Sequence, residues 1–148
     1  MIGMILTGHG EFAPGLAHAL QMIAGEQTAF KVVAFKEDAP IEDLEKNMQT
    51  AINELLAEVE QVVIFSDLLG GSPFKAAMMA SNELENVEVI CGTNLPMLIE
   101  SAMMRQFMPS ASELANQAIT TGQAGVQVVQ FPNPANNDPS DNEDEDGI

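Results

Sequence analysis

Four short apolar runs constrain the fold of this chain more than any other feature. Ile2–Leu6, Phe30–Phe35, Val62–Phe65 and Val87–Cys91 are rich in Val and Ile, too short for good helices, and bounded by turn residues, so they read as strands. Stretches with helical spacing lie between them at Pro14–Ala24, Ile41–Val59 and Phe74–Leu84, and two more follow at Leu95–Phe107 and Ala111–Gly122. Buried strands alternating with helices make a parallel sheet covered on both faces by right-handed crossovers. The expected class is therefore α/β, an open sandwich with a mainly parallel central sheet flanked by helices. A further run, Val126–Phe131, follows the break at Gly122 and Gly125, and its place near the chain end predicts a fifth strand at a sheet edge.

Charge separates the body from its end. Six acidic residues (Asp138, Asp141, Glu143, Asp144, Glu145 and Asp146) fall within residues 132–148, leaving sixteen acidic against five basic residues in the body, a net −11. A segment of Pro, Asn, Asp and Glu buries too little apolar area to offset the entropy of ordering it. The expected division is one domain over residues 1–131 and an acidic disordered tail over 132–148. With −17 overall, contact with a phosphate backbone has no electrostatic support, so nucleic acid is excluded as a partner. No apolar run reaches 18 residues, the length a membrane-spanning helix requires. The opening residues read at once as a strand rather than as a secretory signal, and a lone cysteine, Cys91, suits a reducing compartment. Both point to the cytoplasm, with Cys91 as a packing residue.

In open α/β sheets, ligands bind beyond the carboxyl ends of the strands. Three segments follow strands in that way: Thr7-Gly8-His9-Gly10, Ser66 through Pro73, and Gly92-Thr93-Asn94-Leu95-Pro96. His9, between two glycines, is approachable by a large partner. A neutral imidazole attacks phosphorus with one ring nitrogen while a carboxylate holds the proton of the other. Asp67 ends the third strand as His9 follows the first, and in the commonest strand orders those positions are neighbours across the sheet, so Asp67 is the candidate carboxylate. The plainer alternative is that His9 occupies a tight turn and Asp67 caps a loop.

Gly70-Gly71-Ser72-Pro73 has the composition of a helix start, with Ser72 as N-cap and Pro73 as first helical residue. Its amides and helix dipole suit an anion, which makes Gly70, Gly71 and Ser72 candidate phosphate-binding residues; an ordinary capped helix is the alternative. Lys75 reads as a solvated surface residue and His18 as structural or solvent-facing. Met78, Met79, Met103 and Met104 read as core or subunit-contact fillers. There is no Walker A motif, no GxGxxG and no metal-ligand cluster, so neither a cofactor nor a metal is expected.

Taken together, Thr7-Gly8-His9-Gly10, Asp67 with Gly70-Gly71-Ser72-Pro73-Phe74, and Asn94-Leu95-Pro96-Met97-Leu98 resemble the IIA component of mannose-family sugar phosphotransferase systems. The resemblance spans about the whole folded body. It implies a phosphotransferase component that accepts phosphate on His9 from phospho-HPr and passes it to a separate IIB component, with a functional link to IIC and IID membrane subunits. It further implies that Asp67 takes the Nδ1 proton of His9 and leaves Nε2 to attack, with Ser72 in the phosphate cradle. A homodimer is implied as well, with Val126–Phe131 exchanged between subunits. The chain departs from the family pattern at Leu68, Leu69 and Lys75. Competing readings are a phosphohistidine donor to a dihydroxyacetone kinase, a regulatory module that binds a phosphorylated metabolite without transfer, and a hydrolase.

Overall fold

The computed structural model describes residues 1–132. Four strands, β1 (Gly3–His9), β2 (Phe30–Phe35), β3 (Val62–Phe65) and β4 (Val87–Ile90), alternate with helices α1 (Phe12–Ala24), α2 (Ile41–Leu56) and α3 (Ser72–Ser81). Helices α4 (Leu95–Met104) and α5 (Ala111–Ala124) follow. The strands form one sheet in the order β2-β1-β3-β4, parallel throughout. The expected α/β sandwich is thus the observed fold.

Period-two alternation sorts the strand residues between two apolar layers. Met4, Leu6, Val63 and Phe65 face Ala13 of α1, Met97 and Leu98 of α4, and Leu114 and Ala118 of α5. Ile5, Val62 and Ile64 face Leu44, Met48, Ile52 and Leu55 of α2, with Ala76 and Ala77 of α3. The buried residues of α2 recur on one helical stripe, while Glu42 and Asp43 occupy its first turn, where carboxylates favour the positive helix end.

The amino-terminal end of the sheet is braced by Arg105, just past α4 and almost fully buried. Its guanidinium donates to the carbonyls of Ile2 (3.3 Å), Ala29 (3.0 Å) and Thr28 (2.5 Å) and to Oε1 of Gln27 (3.2 Å). Burial lowers its pKa from the ordinary value, yet guanidinium remains charged in proteins. A planar fork of donors meeting four acceptors replaces the water that burial removed.

Two expectations need correction. Val126–Phe131 is not a strand of this sheet: among the described residues it pairs with no strand after α5, and Val126, Val128, Val129 and Phe131 are 76–101% exposed. Its alternation is strand-like, but a strand requires an edge to pair with, and the segment is hydrogen-bonded to neither edge strand, β2 or β4. Of the two roles read for Met78, Met79, Met103 and Met104, the core role is overturned by their exposure, while a subunit contact is compatible with it. Of the expected acidic tail, residues 133–148 lie outside the described residues. Among the described residues, no helix is long and apolar enough to cross a membrane.

Candidate functional site

The first strand runs three residues further than its apolar run suggests. β1 pairs with β3 only as far as Leu6 opposite Phe65, but stays paired with β2 out to His9 opposite Phe35. Thr7 contributes to that extension: fully buried, it donates from its hydroxyl to the Val33 carbonyl at 2.6 Å. The parting of β1 from β3 opens a crevice at the carboxyl end of the sheet, where open α/β folds place their ligands. His9 stands at its edge on ordered backbone.

Asp67 enters the crevice from the β3 side. Ser66 before it is pinned, with its hydroxyl donating to Ile90 O at 2.8 Å and its carbonyl accepting from the Thr93 hydroxyl at 2.7 Å. The Asp67 carboxylate lies between the backbone and the ring of His9. Oδ2 accepts from the His9 amide at 2.8 Å and is 2.7 Å from His9 Nδ1, while Oδ1 accepts from the Leu68 amide at 2.7 Å. Burial alone would raise the Asp67 pKa, but the hydrogen bonds from the His9 amide and ring and from Leu68 outweigh it, and the pKa falls below the ordinary value. An ionised carboxylate only accepts, so this contact is a hydrogen bond in the tautomer with its proton on Nδ1, the form that leaves the Nε2 lone pair free. The His9 side chain is 48% exposed and that of Asp67 12%. Nε2 therefore belongs to a ring that a protein partner can reach.

The remaining sequence candidates lie beside this pair. Gly71 packs on the His9 ring. It, rather than Ser72, is the N-cap of α3, and no side chain caps that helix; Ser72 is the first helical residue, so its hydroxyl is not used in capping. Pro73 has no amide hydrogen, and neither the Ser72 nor the Phe74 amide finds a protein acceptor among the described residues. Two amides and a helix dipole are thus left for an anion at this end. Gly70, with φ of 80°, takes the left-handed turn that glycine adopts without strain. Leu68 and Leu69 are exposed on the same loop.

The third expected segment is tied inward instead. Asn94 caps α4 by accepting from the Met97 amide at 3.3 Å and donates to the Gly122 carbonyl of α5 at 2.8 Å. His18 is exposed on α1, where it lines a cavity with Pro14, Phe30 and Val32. Sequence reasoning missed Phe35, whose ring meets His9 edge-on at a centroid distance of 5.9 Å and an interplanar angle of 63°. The signal was its position at the end of the second strand, which becomes informative only when the register with β1 is known.

Comparison with known proteins bears on the family and the fold. Residues 3–119 match the family model described as PTS system fructose IIA component, EIIA-man. The PTS system fructose-specific EIIA component of Bacillus subtilis is 30% identical over 86% of this chain and 86% of its own length. The PTS system mannose-specific EIIAB component of Escherichia coli K12 is 35% identical over 87% of this chain, which spans only 40% of that relative. Among solved structures, the phosphotransferase system component EIIA from Streptococcus agalactiae superposes with a TM-score of 0.76 at 28% identity, covering 86% of this chain and 97% of its own. A parallel α/β sheet with an early histidine at the end of its first strand, matched over most of its length by IIA proteins, makes this chain a member of the mannose-type IIA family of the sugar phosphotransferase system.

Proposed function

We propose that the chain is a phosphoryl carrier, charged on His9 by phospho-HPr and discharged to a IIB component during coupled sugar uptake. The observation that carries this reading is the half-exposed imidazole whose Nδ1 lies 2.7 Å from Oδ2 of Asp67. That contact leaves the Nε2 lone pair as the nucleophile. Nε2 bonds to phosphorus as the N–P bond of the donor's phosphohistidine breaks, and the bonding pair returns to the donor's ring nitrogen. The cation that develops on His9 is stabilised through Nδ1–H by the Asp67 carboxylate. Transfer to the acceptor reverses these roles.

Gly70, Gly71 and Ser72 form the phosphate cradle in this reading. Backbone amides and a helix dipole hold the phosphoryl oxygens without a cationic clamp, which suits a group that must leave again. HPr and IIB are the protein partners, IIC and IID membrane subunits are the downstream link, and the chain works in the cytoplasm. It acts as a homodimer in which Val126–Phe131, rich in Val and unpaired among the described residues, supplies an edge strand to the neighbouring subunit.

Incubation with phosphoenolpyruvate, enzyme I and HPr tests the reading by intact mass. The expected product carries one acid-labile phosphoryl group on His9, absent from His9→Ala and removed by a cognate IIB. An uncharged chain beside charged HPr would overturn it.

A further inference from the structure

His9 is held from two opposite sides. In the sheet order β2-β1-β3-β4, the neighbours of β1 lie on its two flanks, and each presents something to the ring. On the β2 flank, Phe35 is the register partner of His9 and meets the imidazole edge-on. On the β3 flank, Asp67 fixes Nδ1 and Gly71 lies against the far edge of the ring. A Cβ placed on Gly71 would stand 2.7 Å from His9 Cε1 and 3.5 Å from Nε2.

The backbone does not account for glycine at this position. Gly71 has φ −71° and ψ 164°, an extended conformation open to any residue. Its neighbour Gly70 has the left-handed φ and open space where a Cβ would go. The double glycine therefore combines two requirements: Gly70 makes the turn, and Gly71 makes room for the imidazole.

We propose that Gly71 and Phe35 are positioning residues, two jaws that keep the imidazole on Asp67 with its Nε2 edge against the start of α3. The inference rests on the carrier reading for its catalytic meaning, but its structural content is independent of it. A methyl group at residue 71 has to displace the ring, because carbon atoms do not approach to 2.7 Å. Displacement toward β2 is blocked by Phe35, and rotation gives up the Nδ1–Oδ2 contact. Either movement shifts Nε2 from its place beside Gly71 at the start of α3, and errors of about 1 Å in a near-attack geometry cost on the order of 100-fold in rate.

The chain has two histidines, so ¹⁵N NMR can follow the tautomer of His9 with His18 as an internal reference. In the wild type, the Nδ1–H form is expected to dominate at His9. In Gly71→Ala that preference should be lost while the His18 signals stay put, and phosphoryl acceptance from phospho-HPr should fall at least about tenfold. Adding Phe35→Ala to Gly71→Ala opens the opposite side and should recover part of both. Unchanged His9 signals in Gly71→Ala would overturn the inference, whatever the transfer rate. If Gly71→Ala does not fold, Phe35→Ala alone decides: an altered His9 signal supports the clamp, and an unaltered one overturns it. A wild type that takes no phosphate would overturn the carrier reading, while the NMR comparison would still decide the positioning role.

Discussion

Oδ2 of Asp67 is shared by two donors of the same residue, the amide and the ring nitrogen of His9, at 2.8 and 2.7 Å. One oxygen thus fixes both where the β1 strand ends and how its terminal side chain is turned. The space it occupies is defined on the β1 side by Gly8, where a Cβ would lie 3.1 Å from both Cβ and Cγ of Asp67.

Asp67→Asn should preserve the fold while slowing phosphoryl acceptance by roughly 100-fold or more, the scale of a misplaced proton-holding group. An amide that presents its NH₂ to Nδ1 favours the wrong tautomer. Rapid-quench measurement of phosphate arriving from phospho-HPr would check this, and a rate within about threefold of wild type would count against the role of Asp67.

Acid should erase the difference in stability between wild type and Asp67→Asn. The folded-state pKa of Asp67 lies below its ordinary value of 3.8, so its contribution is fully present above that value and is lost as pH falls through the depressed pKa. Urea midpoints of the two proteins, compared from pH 7 to pH 2, should stay apart at neutral pH and converge only below about pH 4. A gap already closed at pH 6 would contradict the assignment.

Arg105→Met should lower stability by roughly 1–3 kcal/mol, because it leaves four acceptors without their donor, one of them the buried Ile2 carbonyl and the other three partly buried, at the end of the sheet remote from His9. The same substitution should leave phosphoryl acceptance per folded molecule unchanged. Chemical denaturation and a transfer assay at low temperature separate the two effects.

Phe65→Ala removes a fully buried ring from the layer beneath α1, α4 and α5. A loss of about 3–5 kcal/mol is expected, read from the shift in denaturation midpoint at constant slope.

Removal of residues 126–148 should leave the domain folded but convert a dimer at micromolar concentration into a monomer. Sedimentation of the full and shortened chains would show it. A full-length chain that already sediments as one copy would refute the dimer.

Much of this arrangement is legible in the sequence. β2 and β3 match their apolar runs, because Val- and Ile-rich segments between turn residues have few alternatives to a buried strand. His9 and Asp67 were recoverable as a pair because each follows a strand in a fold whose ligand end is known. The extension of β1 through Thr7–His9 was not, since it depends on pairing with β2 beyond the apolar run. Ser72 was misplaced by one residue at the helix start, where composition allows either Gly71 or Ser72 to be the cap. Val126–Phe131 has the alternation of a strand, but local pattern cannot say whether an edge is available to pair with it. Arg105 was invisible because its acceptors are mainly backbone carbonyls, about 76 to 103 positions away in the chain, which leave no side-chain signature.

The hydrogen bonding of β1 to β2 all the way to His9 has a kinetic consequence under the proposed carrier function. The reactive side chain is mounted on a rail rather than on a lid, so donor and acceptor meet the same geometry at every encounter. Turnover should then follow collision frequency, rising with partner concentration and responding to ionic strength, with no plateau set by a slow closing motion.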